Sequence, residues 1–271
     1  MATTWNCLYL RSEDSTVVIQ QLQNSLTNLG YTLYNPFGLI PGKAYPRSVR
    51  LFVAPAASGW VKIIGEPDEA QLAPLSQNTT LIYTALTGSD ADIWVYADGQ
   101  AMPIEGALIP YLRPNLSADD LQKALHTTSN IIQMDQPDSG LPFNALPDNI
   151  KAMASNVDTV EAQKMFARMS GDLIKKVSGS RGQGKAARDL IKGGEKPDWN
   201  STGGARIRAV MNCLTVGDNW REPDFDNLRD AYPLLERRRR NPNARTYPGD
   251  DAVMAKVPDA LAYTPVYGGA S

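Results

Sequence analysis

Few residues in this chain are of the kind that carries nucleophilic or metal chemistry: it has one histidine and two cysteines among 271 residues. Any Ser-His, Cys-His or His-ligated metal mechanism would have to run through His126. That residue falls near the end of a predicted helix, where the helix dipole alone gives a histidine a reason to be there. Cys7, in a predicted strand, and Cys213, in a predicted helix, are too few for a disulfide framework or a cysteine-rich zinc site, and both read as small buried apolar residues. No apolar run approaches the roughly 18 residues that a membrane-spanning helix needs, so no membrane partner is expected. The opening MATTWNCLYLRSED lacks a basic leader followed by an apolar stretch, which points to the cytoplasm. Hydrophobic residues at 42% and charged residues at 21% exclude a disordered or fibrous chain.

What is present is a dense apolar region from Val49 to Gly99. Its β-branched and aromatic runs predict four strands, near Val49 to Ala54, Gly59 to Gly65, Thr79 to Leu86 and Ala91 to Ala97. The loops Pro55 to Gly59 and Thr87 to Asp90 are short enough to close antiparallel hairpins, and Glu66 to Ser76 has room for one short helix. Ahead of this region, TWNCLYLRS reads as a strand with two apolar faces. Thr16 to Leu29 carries Val18, Leu22, Leu26 and Leu29 on one helical stripe that Gly30 closes. The prolines and glycines from Tyr31 to Pro46 predict a long loop. The resulting β-α-β-β-α-β-β order predicts an α+β fold, a largely antiparallel sheet with helices on one face. Ser117 and Asp120 then form a capping-box pattern ahead of a helix from Ala118 to His126.

Residues 1–134 are thus expected to form the sheet domain, and the Pro- and Gly-rich stretch 135–149 a linker. Residues 150–240 turn to a helical period throughout, with helices fitting Thr159 to Val177, Gly184 to Ile191, Ala205 to Leu214 and Asp224 to Arg239, a small all-α domain. Residues 241–271 have several prolines and no period, and predict an extended tail anchored through Tyr263 or Tyr267, laid on its own protein or, alternatively, on another chain. Charge divides along similar lines: residues 1–150 hold seven Lys/Arg and fourteen Asp/Glu, residues 151–271 twenty and fifteen. Such a division suits either attraction between the two parts or an acidic partner for the second.

Four patterns invite a chemical reading. Gly179 to Lys185 fits the glycine and lysine frame of a phosphate-binding loop. However, Ala186 stands where a hydroxyl would hold magnesium, and the preceding residues read as helix instead of strand, so Lys185 is left as a candidate anion contact. Asp90 and Asp92 alternate on a strand and could share a divalent cation or a proton, although their place beside a hairpin turn also accounts for them. Arg237, Arg238, Arg239 and Arg240 close a helix, suited to its dipole and to carboxylate or phosphate partners. Trp199, Trp220, Gly203, Gly204 and the run Glu222 to Phe225 form an aromatic, turn-rich patch of the kind that pins loops to a small core. No cofactor is expected. The function expected from these features is that of a non-catalytic interaction or assembly component, with another protein or a second copy as partner. A nucleic-acid or phosphate binder using the basic half, and a metal-dependent enzyme through Asp90 and Asp92, are the alternatives.

Overall fold

The computed structural model describes residues 4–37, 45–127 and 196–271. Six of the eight residues of β1 (Thr4–Arg11) are buried, because this strand lies inside an eight-stranded sheet and is covered on both faces. It pairs with β4 (Trp60–Ile64) on one side and β5 (Thr80–Thr87) on the other. With β2 (Thr32–Leu33), β3 (Arg47–Val53), β6 (Asp90–Ala97), β7 (Gln100–Met102) and β8 (Thr264–Ala270), the sheet runs β2-β8-β3-β4-β1-β5-β6-β7 with every pair antiparallel. The fold is α+β, and both edge strands are short, which limits edge-to-edge pairing with other molecules.

Alternation sorts the side chains to two cores. Leu8, Leu10, Leu51, Val61, Ile63 and Leu81 face α1 (Ser15–Asn28) and the short α2 (Leu72–Leu75), which lie between the hairpins in the chain and cover one face. Asp14 caps α1 through the Thr16 amide at 2.7 Å, and Val18, Leu22 and Leu26 are its buried stripe. At its end Gly30, with φ of 82°, donates to Thr27 and Tyr31 donates to Leu26, the paired bonds of a Schellman motif that a residue with a Cβ would strain. On the other face Trp5, Cys7, Tyr9, Phe52, Trp60, Ile82 and Ile93 meet four further helices. These are α3 (Ile104–Leu108), α4 (Ala118–Leu125, with the Ser117–Asp120 capping box), α5 (Thr202–Cys213) and α6 (Phe225–Arg240).

The chain therefore divides differently from the expected boundaries. The described residues 196–271 fold with residues 4–127 as one unit; the expected linker and the helices expected within 150–195 lie outside the described residues. The helical period of 202–240 does mark helices, but their apolar stripes, Ile207, Val210 and Met211 in α5 and Leu228 and Ala231 in α6, are spent on the sheet. Close approach is allowed by Gly203, where a Cβ would stand 2.2 Å from the Ser89 carbonyl oxygen in the β5–β6 turn. The expected extended tail is a short helix, α7 (Asp250–Lys256), followed by β8, which inserts between β2 and β3 and buries Tyr267 to 4% exposure. Tyr263 is half-buried against the same core.

Of the two tryptophans that come from the middle of the sheet, Trp60 is 2% exposed and stacks edge-on against Tyr111 at 5.0 Å, whereas Trp94 is 38% exposed. Trp60→Ala is expected to lower unfolding free energy by about 3–5 kcal/mol and Trp94→Ala by less than about 1 kcal/mol. Urea melts of both variants check this. Equal losses would contradict the two-faced packing.

Candidate functional site

Three side chains of the sheet converge on one loop. Asn219, Trp220, Arg221 and Glu222 are four consecutive residues whose carbonyls all accept from side chains of β1 or β4. Trp5 Nε1 donates to Arg221 at 3.2 Å, the Tyr9 hydroxyl donates to Trp220, and Lys62 Nζ donates to Asn219 at 3.1 Å and Glu222 at 2.8 Å. Around them Trp5 packs edge to face on Trp199 and Trp220 at 5.0 and 5.9 Å, Trp199 and Trp220 lie tilted at 5.9 Å, and the Arg221 guanidinium lies 4.2 Å from the Trp199 ring centroid. Burial pushes the Tyr9 hydroxyl well above its ordinary range and the Lys62 ammonium below its own. Burial also pushes the Cys7 thiol up to about 11, which leaves it protonated and without nucleophilic character at neutral pH. Lysine, tyrosine and cysteine thus stand together here, but each polar atom of the lysine and tyrosine is engaged in holding backbone. Of the patch singled out in the sequence, Trp199, Trp220 and Glu222 belong to this anchor, whereas Gly203 and Gly204 lie in α5 and Phe225 packs on Phe52.

The arginine cluster at the end of α6 is knitted to carboxylates. Arg237 pairs with Asp250 and Arg238 with Asp251, both at 2.8 Å, and Arg239 and Arg240 share Glu236, also at 2.8 Å. Asp250 and Asp251 open α7, so these pairs tie the C-terminal helix to α6. Three carboxylates against four guanidiniums leave a small positive balance, and it falls at Arg239 and Arg240. Beside them runs a groove of about 410 Å3 between α6, β8 and residues 33–37, with Arg240, Glu236 and Tyr267 among its walls. The structure thus brings Arg240 and Tyr267 together, which the sequence did not suggest.

A second groove, of about 490 Å3, lies along the β6–β7 edge. Trp94 and Met102, 38% and 42% exposed, line it together with Glu69 and Glu105. On β6, Asp90 and Asp92 share a face with Trp94. They belong to the strand itself, opposite Thr87 and Ala85, while Gly88 and Ser89 make the turn, so local turn bonding does not account for them. Trp94 stacks on Tyr83 at 5.1 Å, and the Tyr83 hydroxyl is pushed above its ordinary range by burial and by the charges of Glu66, Asp92 and Glu69. The signal for this acidic edge was readable: from Ile63 to Leu112 there is no lysine or arginine, against seven aspartates and glutamates.

The remaining candidates stay apart. His126 is an exposed cap at the end of α4, and Lys185 with its glycine-rich frame lies outside the described residues. Among the described residues no three His, Cys, Asp or Glu side chains gather as metal ligands, and no helix is long and apolar enough to cross a membrane.

Compared with protein-family models, with curated proteins and with solved structures, the chain finds no match.

Because Cys7 and Cys213 are both buried, with thiols shifted upward by burial, native protein at pH 8 is expected to leave both unmodified by a thiol-specific disulfide reagent over minutes. Both should react at once in denaturant. A fast-reacting native Cys7 would show that the anchor beneath residues 219–222 opens to solvent.

Proposed function

We propose that this protein is a non-catalytic, cytoplasmic assembly component whose β6–β7 edge receives a basic, extended segment of a partner chain. One observation carries the reading: an open groove beside a three-residue edge strand, in which the exposed Trp94 and Met102 stand among Glu69 and Glu105. A strand edge offers backbone bonds, exposed apolar side chains offer anchorage, and a carboxylate rim selects a cationic partner. The chain itself contains a strongly basic stretch. Residues 164–192 hold eight lysines and arginines, Lys185 among them, against two aspartates, so a second copy is the partner that charge favours. The arginines of α6 serve this reading less well, because carboxylates of their own chain already face them.

Light scattering on the full chain at low and high salt tests the proposal. Association is expected at about 50 mM salt and should weaken by about tenfold or more at about 500 mM, where screening shortens the reach of charge. Met102→Lys, and Glu69→Gln combined with Glu105→Gln, should each weaken it at low salt while leaving the melting temperature within a few degrees. A chain that stays monomeric at about 0.1 mM under all these conditions, and whose acidic edge captures no synthetic 164–192 peptide, would refute the proposal.

A further inference from the structure

The groove between α6 and β8 has no part in the assembly reading, and its chemistry is of another kind. Phe37 and Tyr232 face each other there with centroids 4.8 Å apart, and Tyr34 and Tyr267 extend the aromatic wall. At about 410 Å3 its volume falls within the range of small-molecule sites, which run from about 300 to about 1,000 Å3. Charge decides the sign of the ligand. Arg239 and Arg240 both lean on the single carboxylate of Glu236, whereas Arg237 and Arg238 have Asp250 and Asp251 to themselves, so one positive charge at this rim is uncompensated within the cluster. A cation would be repelled from such a rim, and an anion drawn to it.

The polar groups agree. Tyr267 is 4% exposed, and its hydroxyl is buried with no hydrogen-bond partner among the described residues. Glu236 is also buried, and its Oε2 lies 2.8 Å from Arg239 Nη2 without the alignment of a hydrogen bond. Asn35 Oδ1 accepts from the Phe37 amide at 2.9 Å, so the amide nitrogen of Asn35 remains to donate. The Arg240 guanidinium and the Asn35 amide thus offer donors beside a wall of aromatic rings. We infer that this groove binds a small planar organic anion, a flat ring carrying one phosphate or carboxylate group, with the ring against Phe37 and Tyr232 and the anionic group on Arg240. A ring stacks on aromatic side chains whatever its substituents, while a guanidinium grips a phosphate or a carboxylate with two donors, so the two features together select this class.

Calorimetric titration of the full chain tests it, with 5′-AMP and 1-naphthoate as probes of the class, adenosine as the ring without the anion and inorganic phosphate as the anion without the ring. AMP or naphthoate is expected to bind with a Kd below about 1 mM, and adenosine and phosphate at least about tenfold more weakly. A preference for AMP marks a phosphate ligand, and a preference for naphthoate a carboxylate. Arg240→Gln should weaken binding by about tenfold while lowering the melting temperature by no more than a few degrees, since Arg239 still faces Glu236. In the unaltered protein, the amide resonances of Tyr34, Asn35, Phe37, Thr264, Val266 and Tyr267 should shift on adding the probe, which locates the site independently of any variant. The inference is overturned if neither probe binds, if phosphate alone binds as well as AMP, or if binding persists in Arg240→Gln while the shifted amides lie elsewhere.

Discussion

Four consecutive carbonyls, from Asn219 to Glu222, depend on three side chains of the sheet for their hydrogen bonds, and much of the molecule follows from that dependence. Trp5, Tyr9 and Lys62 project from the middle of β1 and β4 on the same face, and each ends in a donor that a purely apolar core would leave unpaired. The loop between α5 and α6 supplies the acceptors. A buried polar group without a partner costs more than its hydrogen bond is worth when made, so loop and sheet are each unfavourable without the other. The partners lie 157 to 216 residues apart in the chain, which sets the loop's place by tertiary structure and not by local preference. Once the loop is held, α5 and α6 on either side of it are brought onto the sheet, and α6 in turn carries α7 through the Arg237–Asp250 and Arg238–Asp251 pairs.

Local signals in the sequence located most elements. The turn residues around Gly88 and the Ser117–Asp120 box each act within a few residues and are where the sequence placed them, as are Val18, Leu22 and Leu26 on the buried stripe of α1, whereas Leu29, expected on that stripe, caps the helix and is 40% exposed. Partner choice is less local. The stripes of α5 and α6 are as compatible with a separate bundle as with a sheet, and nothing in their spacing says which apolar surface they will meet. Strand β8 was illegible for a different reason. Its run TPVYGGA is broken by a proline and two glycines, and it is a strand only because β3 pairs with it along its whole length while β2 reaches just Gly268 and Gly269.

The functional surfaces divide in the same way. The acidic edge is written in the chain as fifty residues without a cation, a signal that counting over halves of the sequence blurred. The groove at Arg240 and Tyr267 is written nowhere, since it is made of an arginine from the end of α6, a tyrosine from β8 and aromatic residues just after β2, which only the finished sheet assembles. The arginine cluster shows the opposite error. Its density suggests a binding surface for an external anion, yet the aspartates that occupy two of its members arrive with α7, thirteen residues further on.

That residues 196–271 are an integral part of the sheet domain is the claim on which the groove between α6 and β8 rests, and native-state hydrogen exchange tests it most directly. Amides of β8 that bond to β3, in the register Leu51 to Val266, should exchange only by global unfolding, with the same free energy and denaturant dependence as amides in the β1–β5 ladder. Exchange of β8 at a much lower opening free energy, while β1 and β5 stay protected, would show a detachable tail and contradict the account.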